Sequence, residues 1–181
     1  GLEAALTRPG HRLTPGTLVR RGRWGQLFVE LTATCNERCR HCYAGSGPER
    51  REALDRATAE AVVREAAAMG FEVVQFTGGE ALLCPFLADL CALARASGVP
   101  IVEVYTNGVL LTDARYAPLR DAGVAFAFSL YAADPAAHDA VTGLPGSHAR
   151  TVSALRRALA GGSDVRVGVI ATRAEDEDEA V

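Results

Sequence analysis

The feature that most constrains this chain is a repeated alternation of β-rich and helical segments. "QLFVELTA" (26–33), "FEVVQFT" (71–77), "PIVEVYT" (100–106), "VAFAFSL" (124–130) and "DVRVGVIAT" (164–172) read as strands. "AEAVVREAAAMG" (59–70), "PFLADLCALARASG" (85–98), "TDARYAPLRDAG" (112–123) and "SHARTVSALRRALAGG" (147–162) read as helices between them. Thr58 suits the N-cap of the first helix and Gly70 its stop. Pro85 suits the first turn of the second, and Gly98 falls just past its end. Thr112 and Ser147 lead the third and fourth, and Pro118 is where the third would kink or split. The acidic "AEDEDEAV" (174–181) reads as the opening of a fifth helix. Such alternation implies parallel strands joined by right-handed crossovers, an α/β fold with outer helices. The strands are near-continuous apolar runs, as expected when both sheet faces are covered. Ligands in such folds bind outside the carboxyl ends of the strands.

Composition narrows the function classes. With 181 residues, the chain is long enough for one domain with its own core. It has no apolar run near the ~18 residues that a membrane span needs, and no charged-then-apolar leader. A soluble, cytoplasmic protein without a membrane partner is expected. A net charge of −3 carries no electrostatic footprint for nucleic acid. All 19 basic residues are arginine, a bias that reflects coding composition more than function. Residues 1–25 form a basic lead-in, where Arg8, Arg12, Arg20, Arg21 and Arg23 face a single acid, Glu3. It reads as a solvated segment, or as an arm for a peptide or partner. Five cysteines is an odd count, which argues against a closed disulfide framework. In a reducing compartment, clustered cysteines point to metal binding or catalysis.

The unusual chemistry falls at the predicted strand ends. After the first strand comes "TCNERCRHC", with Cys35, Cys39 and Cys42 spaced C-x3-C-x2-C. Thiolates suit both zinc and iron–sulfur clusters. A structural zinc wants four protein ligands, and His41, pinned between Cys39 and Cys42, is poorly placed to be the fourth. Cys84 and Cys91 lie seven apart, the second within a predicted helix, so they supply no second pair; Cys84 reads as a packed thiol. A [4Fe–4S] cluster normally takes four cysteines, so three leave one iron open. Spacing alone leaves zinc and cluster both standing. After the second strand comes Thr77-Gly78-Gly79-Glu80. Paired glycines let backbone approach a ligand closely, and a neighbouring carboxylate accepts from an ammonium group. "TNG" with Thr106 and Asn107 follows the third strand, and the fourth ends in Ser129 with Tyr131 just beyond. No Ser-His-Asp arrangement is present to suggest hydrolysis.

Taken together, these motifs resemble the radical S-adenosylmethionine (SAM) superfamily over about residues 26 to 172. The resemblance implies a partial (β/α)6 barrel, here ending after about strand five, so that 26–181 is an incomplete core. It implies that Cys35, Cys39 and Cys42 bind three irons of a [4Fe–4S] cluster, with SAM chelating the fourth. Gly78, Gly79 and Glu80 would meet the amino group of SAM, His41 would lie near the adenine, and Thr106, Asn107 and Ser129 would line the rest of the pocket. The implied chemistry is one-electron cleavage of SAM to a 5′-deoxyadenosyl radical that abstracts hydrogen. The cofactor supplies the reactivity, and the protein supplies orientation and exclusion of water. No protein catalytic residue is assigned. An electron donor such as flavodoxin or ferredoxin is implied.

A finer likeness runs through "TNGVLLT" and "SLYAADPAAHDAVTGLPGSHARTVSALRRAL". It points to the branch with a C-terminal SPASM or twitch domain, which modifies peptides and proteins. His138 to Ser147 is typical of that branch's fourth loop, and here reads as a turn plus a helix cap at Ser147. Two positions depart from the family: Ala81 stands where proline commonly follows Gly-Gly-Glu, and Tyr131 where many relatives have aspartate. The expected product is a modified ribosomal peptide or protein. The alternatives are small-molecule cofactor or tetrapyrrole chemistry, and a non-catalytic metal-binding scaffold. A sixth strand and a SPASM domain are expected of the complete enzyme and are not in this chain. The fifth strand is expected to leave an open edge.

Overall fold

Strand pairing follows chain order throughout. In a computed structural model describing residues 24–169, one sheet has the order β1-β2-β3-β4-β5, and every neighbouring pair is parallel. The strands are β1 (Trp24–Glu30), β2 (Phe71–Thr77), β3 (Ile101–Thr106), β4 (Ala125–Ser129) and β5 (Val165–Gly168). Crossovers that always advance by one strand build a barrel wall, not a doubly wound sheet, whose order reverses. The helices are α1 (Arg56–Met69), α2 (Leu87–Ala96), α3 (Asp113–Asp121), α4 (Pro135–Thr142) and α5 (Ser147–Ala160). Among the described residues no helix is long and apolar enough to cross a membrane. The expected lead-in up to residue 23 and the expected acidic helix at 174–181 lie outside the described residues.

The two faces of the sheet differ. Val29, Phe76, Val104 and Phe126 pair across β1 to β4 in one row, all buried. They pack with Ala59, Val63, Leu90, Leu119 and Ala158 of the helices in one core. Each fully buried Val or Phe side chain contributes about 1.5–3 kcal/mol. The alternate positions point the other way, where Gln75, Glu103, Tyr105 and Arg166 stand beside the apolar Phe28, Val73 and Ile101. There Glu103 accepts two bonds from Arg166, at 2.7 and 2.8 Å, and one from Gln75. The Arg166 guanidinium also lies 5.6 Å from the centre of the Tyr105 ring. The expectation of two apolar faces is therefore corrected. Helices cover only the convex face, and the polar groups of the concave face satisfy one another.

Several boundaries move for identifiable reasons. β1 begins at Trp24, inside the expected lead-in, and ends at Glu30, because residues 32–34 make only isolated bridges. α1 starts three residues early. Its cap is Asp55, whose carboxylate accepts from both the Thr58 amide and the Thr58 hydroxyl at 2.8 Å. Pro85 does not open α2; a 3-10 turn at Ala81–Leu83 intervenes, and Phe86 takes the N-cap. Thr112 caps α3 as expected, and the helix runs unbroken through Pro118.

The largest difference is α4, expected only as a turn. Asp134 caps it, Pro135 fills its first position, and Gly143 ends it in the left-handed conformation. Ser147 is the first residue of α5, with Gly146 as N-cap. The capping carboxylate comes from α4. Asp139 accepts from the His148 amide and the Ser147 hydroxyl at 2.9 Å, and from the Gly146 amide. The His148 amide, then the Gly146 amide, hold this carboxyl at about 2, below its ordinary 3.8. A depressed carboxylate stabilises the fold above its unfolded value and loses that contribution as pH falls through the folded one. Asp139→Asn is therefore expected to lower the urea midpoint at neutral pH. The gap from wild type should shrink as pH falls from 3.8 to about 2, followed by circular dichroism.

Candidate active site

The site is assembled where the chain leaves the strands. After β1 the backbone runs through Leu31–Cys35, held on both sides. Leu31 N–H donates to Thr77 O at 2.9 Å, Ala33 N–H to Glu52 O at 2.8 Å and Cys35 N–H to Gly47 O at 3.1 Å. The Gly-Gly-Glu turn after β2 presses against the same segment. Gly79 N–H donates to Thr32 O at 2.6 Å, and Glu80 N–H to Thr34 O at 3.0 Å. A Cβ on Gly79 would overlap the Thr34 carbonyl and lie 2.8 Å from Ala33 O. Gly78, at φ +130, would overlap Thr32 O. Both positions require glycine because the cysteine segment passes so close, not only because a ligand might.

Glu80 has a different place from the one the motif suggests. It is 1% exposed and does not line the cavity at the strand ends. Its carboxylate accepts from Thr106 Oγ1 at 2.6 Å, and from the Leu82 and Asn107 amides at 2.9 Å each. Burial pushes its carboxyl up, against the pull of those three donors. Glu80 thus ties the end of β2 to the end of β3. Asn107, so placed, donates through Nδ2 to Asn36 at 3.0 Å and to Cys35 Sγ at 3.8 Å. Its carbonyl accepts from Thr151 of α5 at 2.6 Å.

Cys35, Cys39 and Cys42 all line one cavity of about 450 Å3, with Gly78, Gly79 and Ser129 on its wall. His41, Thr106 and Asn107 line it too, so every expected site residue except Glu80 meets there. Burial pushes the Cys35 and Cys39 thiols up to about 12, and nearby carboxylates and thiols add to it. Such thiols surrender protons to a metal, not to neutral water. Amides donate to the sulfurs, Glu37 N–H to Cys35 at 3.4 Å and Ser46 N–H to Cys42 at 3.3 Å. Among the described residues no three His, Cys, Asp or Glu side chains are gathered tightly enough for a single metal ion. Three soft donors spread around one cavity suit a polynuclear cluster better than one zinc. Cys84 and Cys91 lie in the hydrophobic core instead, as packed thiols.

Two features of the site were not read from the sequence. One is Glu37, between the first two cysteines. It is 3% exposed and lines the cavity; Cys39 Sγ donates to its Oε2 at 3.5 Å, and its Oε1 is buried without a partner. Burial pushes this carboxyl up to about 7. An acid between metal-type cysteines was the available signal. The other is a ladder of rings leading inward from the cavity. His41 meets Tyr131 edge-on at 4.5 Å, Tyr131 stacks on His138 at 5.5 Å, and His138 meets His148 at 5.5 Å. His138 Nδ1 accepts from the Tyr131 amide at 3.2 Å, so its proton sits on Nε2, which is buried and unpartnered. α4 also carries the cysteine loop. The Arg38 amide donates to Thr142 O at 2.9 Å and the Arg40 amide to Val141 O at 3.1 Å.

Comparison with known proteins agrees with this geometry. Residues 29–180 match the model of the radical SAM superfamily. The chain is 34% identical to the PqqA peptide cyclase of Gluconobacter oxydans over 149 residues, 81% of this chain and 41% of that protein. It is 36% identical to the GTP 3′,8-cyclase of Chlorobaculum tepidum over 97 residues, 53% of this chain and 29% of that protein. The structure of Streptococcus suis SuiB bound to its precursor peptide SuiA superposes with a TM-score of 0.75 at 19% identity, covering 87% of this chain and 36% of SuiB. At that identity SuiB establishes the shared fold. The chain belongs to the radical SAM superfamily, whose members are enzymes that use a [4Fe–4S] cluster and SAM. It spans less than half the length of each of these three proteins.

The Glu80 bracket is open to test. Glu80→Ala leaves the Thr106 hydroxyl and two buried amides without their acceptor, at about 1–3 kcal/mol each. A loss of about 3 kcal/mol or more is expected in urea unfolding of the metal-free protein. Glu80→Gln, which keeps an acceptor, should lose less.

Proposed function

We propose that residues 24–169 are the cofactor-binding core of a radical SAM enzyme that modifies a peptide or protein. The observation that carries this is the convergence of Cys35, Cys39 and Cys42 on one cavity walled by Gly78, Gly79 and Ser129 at the strand ends. In this reading the three thiolates hold three irons of a [4Fe–4S] cluster. His41, Gly78, Gly79, Thr106, Asn107 and Ser129 surround SAM, and Glu80 supports that wall from behind. When bound and reduced, the cluster supplies the electron that cleaves SAM to a 5′-deoxyadenosyl radical. A small electron-transfer protein such as flavodoxin or ferredoxin would deliver that electron. The chain's own residues place the ligands, orient the nucleoside against the His41–Tyr131 pair, and keep water from the cavity.

Two observations support a peptide or protein as substrate. The PqqA peptide cyclase is among the relatives, and the fold is that of SuiB, whose precursor peptide is SuiA. The cavity is also acidic. Glu30 and Glu37 line it, and among the described residues no arginine does. A polyphosphate brings several negative charges and calls for arginine, lysine or a metal cation. The second reading, small-molecule chemistry on a nucleotide, rests on the GTP 3′,8-cyclase relative and has to find those cations elsewhere in the protein. A SPASM-type domain beyond the chain belongs to the first reading.

The test is anaerobic reconstitution of the full natural protein with iron and sulfide, then reduction with SAM present and chromatography for 5′-deoxyadenosine. Wild type is expected to make it, and a Cys35/Cys39/Cys42→Ala variant is expected to make none. Candidate precursor peptides encoded beside the gene should then change mass. A folded wild type that carries a cluster and yields no 5′-deoxyadenosine would end the enzymatic reading. Turnover of a nucleoside triphosphate with no change in any peptide would favour the second.

A further inference from the structure

Glu37 is a carboxylate that the fold buries without completing its bonding. The residue is 3% exposed, and its Oε1 has no partner. A buried oxygen left without a donor is costly, and native structures keep such groups mostly where something else arrives to meet them. The side chain lines the same cavity as the three cysteines. Its position is held from two sides. Its own amide donates to Cys35 Sγ at 3.4 Å, and its Oε2 accepts from Cys39 Sγ at 3.5 Å.

The donors around this carboxylate are few. Besides Cys39 they are the side chain of Asn107 and, at longer range, the charge of Arg150. Glu30 adds a further acid to the lining, and among the described residues no arginine lines the cavity. The chain contains no lysine. The cavity's own side chains therefore offer little positive charge to meet the carboxylate. SAM carries a sulfonium cation, and its amino group gives up its proton where it chelates iron.

We propose that the Glu37 carboxylate receives the sulfonium of SAM in this cavity, and so acts as a positioning residue for the cofactor. The inference rests on the radical SAM reading above. It adds a contact from within the cysteine loop to those expected from Gly78 and Gly79. It also gives the acidity of the cavity a purpose: the site favours a cationic ligand over a neutral one of the same shape.

Calorimetry on the anaerobically loaded full natural protein tests it, with dissociation constants for SAM and for S-adenosylhomocysteine. The second molecule keeps the amino and carboxylate groups and lacks the sulfonium charge. Glu37→Gln is expected to weaken SAM binding at least about tenfold, the scale for losing one partner of a buried charge pair. Glu37→Asp, which keeps the charge but withdraws it, should weaken binding less. Glu37→Gln is expected to leave S-adenosylhomocysteine binding unchanged; equal weakening of both ligands overturns the proposal. Iron and sulfide contents of each variant separate lost cofactor contact from lost cluster. Should Glu37→Gln fail to take up the cluster, Glu37→Asp decides the matter alone, and an unchanged constant there overturns the proposal. Equal SAM affinity in wild type and a fully loaded Glu37→Gln overturns it too, while leaving the radical SAM reading intact. A loaded wild type that binds no SAM overturns that reading, and this inference with it.

Discussion

The rest of the site depends on one close backbone contact, where Gly78–Glu80 lies against Thr32–Thr34. Two amide-to-carbonyl bonds, at 2.6 and 3.0 Å, join the turn after β2 to the segment that enters the cysteine loop. No side chain fits between them. From this contact the chain gains two things together. The first cysteine is fixed relative to the sheet, and Glu80 is left facing inward, where it gathers the end of β3. Cys35, Gly78, Gly79 and Asn107 come from three different strand ends, yet they are bonded into one wall. Separate loops tethered only at their ends would not hold three thiols and the cavity wall in a constant relation.

The sheet divides its labour by face. Helices cover the convex side with Val29, Phe76, Val104 and Phe126 in register, and that side supplies the stability. The concave side holds Gln75, Glu103, Arg166 and Tyr105 in a network that reaches the cavity through Gln75 and Tyr105. A Glu–Arg pair whose arginine is half exposed adds little net stability. Here it gives the barrel floor a polar lining with its charges matched, so that the uncompensated charge is concentrated at the cavity.

Much of this was legible in the sequence because it is written in spacing. Five β-rich runs with helices between them gave strand order and direction. Cys35, Cys39 and Cys42, Gly78 and Gly79, Asn107 and Ser129 each follow or end a strand, and all of them line the cavity. What was missed depends on partners far away in sequence. Glu80 looked like a ligand for an ammonium group because its true partners, Thr106 and Asn107, are some 26 residues on. Glu37 drew no reading because nothing local marks it as buried. The helix at 135–142 was the avoidable miss. Asp134, Pro135 and Gly143 are a cap, a first-turn proline and a stop in plain order, obscured by the shortness of the segment.

The seating of the cysteine loop on α4 carries a consequence for how the protein is made. The Arg38 and Arg40 amides are held by carbonyls of Thr142 and Val141, about a hundred residues later in the chain. Contacts of such long range form late, after the loop they close has been ordered. During synthesis the cysteines leave the ribosome well before their supporting helix exists. The thiols are thus exposed to solvent, oxidants and adventitious metals throughout the interval in which β2, β3 and β4 are added. In the proposed reading, cluster delivery has its natural moment when α4 closes beneath the loop, and a chain that acquires its iron earlier does so without the scaffold that shapes the site.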